Sequence, residues 1–133
     1  MFLNNETDYA VRIVSCLAKK SERTDAASIA KETGVTQRFA LKILHNLVLA
    51  GIVTSFKGNK GGYILARPAE DITLLEVIEK IYGPLTLNRC RHENGCDCTH
   101  PNGFCDFKDV FADVTTYIRC KFSHVTFADK KEH

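Results

Sequence analysis

Six cysteines occur in the 133 residues, and four of them fall within sixteen positions as Cys90-x5-Cys96-x-Cys98-x6-Cys105. The surrounding segment is polar and glycine-bearing, without the periodicity that would carry thiols into a core. Four thiols so placed suit thiolate chemistry, because a soft metal centre would order a segment that buries too little apolar surface to order itself. Two centres compete. Zinc takes four thiolates in a closed tetrahedron, but its sites favour paired short Cys-x2–4-Cys knuckles, and Cys96-x-Cys98 is too tight for one. An iron–sulfur cluster accepts longer and uneven spacings because its irons are separated in space. A thiol redox switch is a further alternative, whereas stable disulfides are uncommon in a reducing cytosol. His92 and His100 are chemically able ligands nearby. Cys16 and Cys120 fall in helical patterns and read as structural thiols.

A second set of residues is polar and basic. Thr36, Gln37, Arg38 and Lys42 open one helical stretch, and Ser55, Lys57, Gly58, Lys60 and Gly61 surround a glycine-rich turn. The first group has donors for base edges and phosphates in a major groove. The second offers lysines among glycines, whose missing Cβ permits close approach to a sugar–phosphate backbone. Charge is distributed accordingly. Residues 1–67 hold ten Lys/Arg against five Asp/Glu, while residues 68–133 hold eight against eleven, so a net +2 conceals a basic first half and an acidic second. A basic half suits a polyanionic partner.

The elements that must position these residues can be traced by period. Tyr9–Lys20 has helical spacing, with Asp8 or Thr7 where an N-cap belongs. Asp25 caps a short helix, Ala26–Thr33, whose apolar face is Ala27, Ile29 and Ala30, and Gly34 ends it. Thr36 caps a third helix, Gln37–Ala50, with Phe39, Ala40, Ile43, Leu44, Leu47 and Val48 toward the core. The period then changes to two strands, Ile52–Phe56 and Tyr63–Ala66, about the turn 57–62. Thr73-Leu74-Leu75-Glu76 is a capping box opening a helix through Tyr82. After the cysteines, Asp106–Phe122 repeats apolar residues every three or four positions, and the tail from Phe127 reads as frayed. The fold class expected is mainly α with one small β-hairpin: a winged helix-turn-helix over 1–83, a cysteine-rich segment over 84–105, and a dimerisation helix with tail over 106–133. One monomeric core could not bury the whole stripe of that last helix, so an isologous pair is expected, matching a palindromic site on double-stranded DNA.

Other classes are disfavoured. There is no apolar run of about 18 residues to span a membrane, and Asn4, Asn5, Glu6 and Asp8 interrupt any signal-like start. A cytoplasmic protein without a membrane partner is expected. No nucleophile–base–acid arrangement, phosphate-binding loop or carboxylate pair suggests an enzyme, and Gly61–Gly62 opens a strand rather than a helix.

At this level the chain resembles the Rrf family of winged-helix transcription regulators. The likeness rests on Asp8-Tyr9-Ala10-Val11-Arg12, on Ser28-Ile29-Ala30 and Val35-Thr36, and on Ile72-Thr73-Leu74. Its most specific part is the run from Leu49 to Pro68, with the turn Lys57-Gly58-Asn59-Lys60-Gly61-Gly62-Tyr63. The resemblance covers about residues 1–122 and implies a homodimer whose long C-terminal helices pair while each wing enters a minor groove. It implies a regulator, with repression the expected mode, whose DNA affinity follows an iron–sulfur cluster (2Fe–2S or 4Fe–4S), zinc being the lesser expectation. Three loop cysteines would hold the cluster: Cys90 after the preceding helix, Cys105 before the long one, and either Cys98, which fits the family's second gap, or Cys96, which fits the first. For a fourth ligand some members use a His soon after the last cysteine, where this chain has Lys108 and Asp109. Others use an Asp at the start of the first helix, matched by Asp8 with Arg12 one turn later; the other role open to Asp8 is an ordinary N-cap. In that arrangement the Asp comes from the other subunit's DNA-binding half, tying reading head to dimer interface. The recognition helix departs from the family, which often carries Tyr-Leu-Glu where this chain has Phe39-Ala40-Leu41.

Overall fold

The computed structural model describes residues 4–87 and 107–129. Helix α1 (Asn5–Ala18) starts a turn before the period suggested, because Asn4 rather than Asp8 is its cap. The Asn4 Oδ1 accepts hydrogen bonds from the Thr7 N–H at 2.9 Å and the Thr7 hydroxyl at 2.8 Å, which lets Thr7 be buried without loss. Helix α2 (Ala26–Thr33) has the expected ends. Asp25 accepts from the Ser28 N–H at 2.8 Å, and Gly34 turns the chain at φ 73°. Its buried residues are Ile29 and Ala30, while Ala27, expected inward, is exposed. Helix α3 (Gln37–Leu49) is capped by Thr36, whose hydroxyl accepts from the Phe39 N–H, and Gly51 follows at φ 78°.

Strands β1 (Val53–Phe56) and β2 (Gly62–Leu65) pair antiparallel, from Val53 opposite Leu65 to Phe56 opposite Gly62. Two glycines are required here by space. A Cβ on Gly61 would lie 2.6 Å from the Phe56 carbonyl oxygen, and one on Gly62 would lie 2.9 Å from that of Thr24. The second closeness arises because Thr24 bridges to Tyr63 through two backbone hydrogen bonds of 3.1 and 2.9 Å. The hairpin is thereby fastened to the connection between α1 and α2.

A 3-10 turn (Ala69–Asp71) leads to α4 (Leu74–Ile81), capped by the Thr73 hydroxyl accepting from the Glu76 N–H at 3.1 Å. The reciprocal half of the expected capping box does not form, since the Glu76 carboxylate pairs with Arg67 instead. Helix α5 (Lys108–Ser123) lies against α4, tied by the Arg119–Glu79 ion pair. The residues beyond it are not frayed throughout. Leu74 N–H donates to the Val125 carbonyl at 2.8 Å, Phe127 N–H donates to that of Ile72 at 3.3 Å, and the Phe127 ring is buried.

One core joins α1 to α4 and the segment after α5, with Ile13 and Leu17 of α1, Ile29 of α2, Ile43, Leu44 and Leu47 of α3, and Ile72, Val77 and Phe127 all within it. Each such side chain removed from water contributes about 1.5–3 kcal/mol, enough to hold the short α2 and α4 that could not persist alone.

Candidate nucleic-acid interface and cysteine centre

The first turns of α3 stand clear of this core. Thr36, Gln37, Arg38 and Lys42 are exposed, and helical spacing puts Arg38, Leu41, Lys42 and His45 on one face. Phe39, expected in the core, is 44% exposed at the head's surface, where its ring makes an edge-to-face contact with Tyr9 of α1, centroids 6.1 Å apart. Lys42 is not a free cation. Its Nζ lies 2.6 Å from Oε1 of Glu6, in the first turn of α1.

That turn carries a second ion pair, Asp8 to Arg12 at 2.8 Å, with both side chains about half exposed (52% and 51%). The Arg12 guanidinium also lies 5.7 Å from the Tyr9 ring centroid and donates to the Thr33 carbonyl at 3.5 Å. Asp8, relieved of capping by Asn4, presents a carboxylate that a ligand can reach. The first two turns of α1 and of α3 are therefore linked by one ion pair and one aromatic contact. Of these partners, sequence spacing revealed only Asp8 with Arg12. Glu6 and Tyr9 meet α3 through tertiary packing alone.

On the wing, Ser55, Lys57, Gly58 and Lys60 are exposed and Gly61 is half-buried. Arg23, which no local pattern singled out, braces this turn. Its guanidinium lies 3.5 Å from the Phe56 ring centroid and donates to the Lys60 carbonyl at 3.4 Å.

Cys90, Cys96, Cys98 and Cys105, with His92 and His100, lie outside the described residues. Among the described residues no group of three His, Cys, Asp or Glu side chains could hold a metal ion. The two remaining cysteines behave differently from each other. Cys16 is buried and its thiol donates to Glu32 Oε2 at 3.2 Å, while Glu32 pairs with Lys20 at 2.7 Å. Burial, and then that bond to a carboxylate, push the Cys16 thiol up to about 11, so it stays protonated at neutral pH and links α1 to α2. Cys120 is exposed on α5, with its sulfur 3.9 Å from His124 Nδ1.

A family model described as Rrf2, iron-dependent transcriptional regulator, matches residues 3–132. The chain belongs to the Rrf2 family of transcriptional regulators. A Rhodobacter capsulatus protein named as an rrf2-like HTH-type transcriptional regulator is 30% identical over 120 residues, spanning 84% of this chain and 80% of that protein. Protein aau3 of Rhizobium meliloti is 35% identical over 99 residues, 74% of this chain, and the chain spans 64% of its length. Among solved structures, the global cysteine regulator CymR of B. subtilis superposes with a TM-score of 0.79 at 21% identity, covering 97% of this chain and 95% of that one. IscR of T. potens superposes with a TM-score of 0.75 at 25% identity, covering 97% and 85%. The Rrf2 family is one of regulators rather than enzymes, and its winged-helix fold is the one described above. No helix among the described residues is long and apolar enough to cross a membrane.

Proposed function

We propose that this Rrf2 protein is a homodimeric, cytoplasmic DNA-binding regulator, most simply a repressor, whose DNA affinity is set by an iron–sulfur cluster. One observation carries the reading. An exposed basic α3 and a glycine-closed wing share a chain with four thiols placed between the head and a helix whose apolar stripe is uncovered. In this reading Arg38, Lys42, Lys57 and Lys60 neutralise phosphates, and Thr36 and Gln37 reach base edges or phosphates from the start of α3. Ser55, Gly58 and Gly61 let the wing backbone approach the minor groove. Pairing of α5 with a second copy over 106–133 sets two heads on a palindromic operator.

The donor set suits a cluster. Cys90, Cys105 and one of Cys98 or Cys96 would hold it, with Asp8 as the fourth ligand. A bound cluster would supply redox-active iron, and Asp8 would give it a carboxylate ligand, harder and more labile than a thiolate. The Asp8–Arg12 pair holds that carboxylate on α1 within one turn of Glu6, which in turn holds Lys42 of the recognition helix. Arg12 also lies over the Tyr9 ring, which meets Phe39 of α3, so a change at Asp8 has a short physical route to the recognition helix.

Anaerobic purification followed by iron and acid-labile sulfide analysis tests this reading. Iron and sulfide should be present with a visible chromophore that Cys90→Ser or Cys105→Ser abolishes. Of Cys96 and Cys98, only the ligand should be sensitive to serine. Zinc without sulfide would overturn the cluster in favour of a structural metal in the same segment.

A further inference from the structure

We infer that Leu41 contacts a thymine methyl group in the major groove and so determines operator specificity. The inference rests on the reading of α3 as the DNA-contacting helix and adds to it the chemistry of the base it reads. Leu41 is 44% exposed and sits between Arg38 one turn before it and Lys42 and His45 after it, on the single face of α3 that carries those groups. The other large apolar residues of α3 are otherwise accounted for. Ile43, Leu44 and Leu47 are buried, Phe39 meets Tyr9, and Leu49 lies at the far end, beyond the turns that enter a groove.

A leucine at the centre of a polar, basic face gives that face one apolar group, which gains by burial only against a matching apolar group of whatever the face binds. The charge around it selects a polyanion rather than an apolar protein surface. Within a duplex, Leu41 has no donor or acceptor for guanine, cytosine or adenine. The one apolar group that a base presents in the major groove is the thymine C5-methyl. Arg38 and Lys42 would take the phosphates and polar edges on either side, leaving the floor of the groove to Leu41.

The test uses the full chain, purified anaerobically, and operators selected from random duplex DNA. Each enriched thymine is replaced in turn by deoxyuridine, which removes the methyl and keeps every hydrogen-bonding group. One symmetry-related pair of positions should respond, weakening binding about four-fold per half-site, the worth of one methyl group withdrawn from water. Leu41→Ala should weaken the thymine operator by a similar factor and erase the thymine–uracil difference at that pair alone. Its salt dependence and thermal midpoint should match the wild type, since the side chain lies outside the core. The inference is overturned if Leu41→Ala keeps the difference, or if no thymine responds although DNA is bound. An absence of DNA binding at any salt concentration would instead overturn the assignment of α3 itself.

Discussion

Helices α1 and α5 are of similar length, fourteen and sixteen residues, and both repeat apolar side chains every three or four positions. Their fates differ. Six residues of α1 are buried, with Ile13 and Val14 wholly removed from solvent, whereas none of α5 is buried. Val110 is 57% exposed, Val114 41% and Tyr117 69%. Two polar contacts help to hold α5 in place, the Arg119–Glu79 pair and a bond from the Leu87 N–H to the Thr115 hydroxyl at 3.3 Å. Periodicity marks a helix face that something covers, but it does not say what does. For α1 the cover is the rest of the same head. For α5 the proposed cover is a second copy, which would bury a contiguous apolar stripe that a monomer leaves in water.

The sharpest way to break this contrast is to place charge on the α5 stripe. Val110→Asp combined with Val114→Asp should convert the dimer to monomer in sedimentation at micromolar concentration. Palindrome binding should weaken by a factor of about 100 or more, since the second head no longer adds to the first. The head's own unfolding should barely change. A dimer that survives would mean that α5 is covered in some other way. The opposite experiment is Leu44→Ala in the head, which should cost about 2–5 kcal/mol in denaturant unfolding and leave the association constant of the folded protein unaltered.

Smaller effects separate the two halves of the DNA surface. Lys57→Ala with Lys60→Ala should lower the slope of log affinity against log salt by about four, two from each subunit, and weaken all sequences alike, because phosphate contacts carry no sequence information. Normal binding across the titration would remove the wing from the interface. The smallest expected effect belongs to Glu6→Gln. Freeing Lys42 from an exposed ion pair worth about 0.2–1 kcal/mol should tighten DNA binding by a factor of up to about five per half-site. That gain should vanish in a Lys42→Ala background. If it persists there, Glu6 acts on the DNA directly rather than through Lys42.

What could be read from the sequence follows from how local each cause is. Helix α2 was legible to its ends because Asp25 and Gly34 are both local punctuation. The start of α1 was displaced by a turn because Asn4, Thr7 and Asp8 are all able caps, and the burial of Thr7 decides between them. The hairpin was recognisable from its glycines, but the reason Gly62 must be one, the approach of Thr24, lies in a distant segment. Phe127 looked like the start of a loose end because a single aromatic after a helix has no period, and its place depends on the pairing of Thr126 with Thr73. At the site, the exposed polar residues of α3 and the wing were legible from turn and helix patterns. Arg23 and Glu6 were not, because each acts on a residue brought near only by the fold.

Whether a cluster sets DNA affinity can be measured by comparing cluster-loaded and cluster-free protein on one selected operator under anaerobic conditions. The two affinities should differ by about 5- to 150-fold, the usual range of coupling between two sites, with Asp8→Ala narrowing the gap while cluster is still bound. Equal affinities for the two forms would contradict control by the cluster.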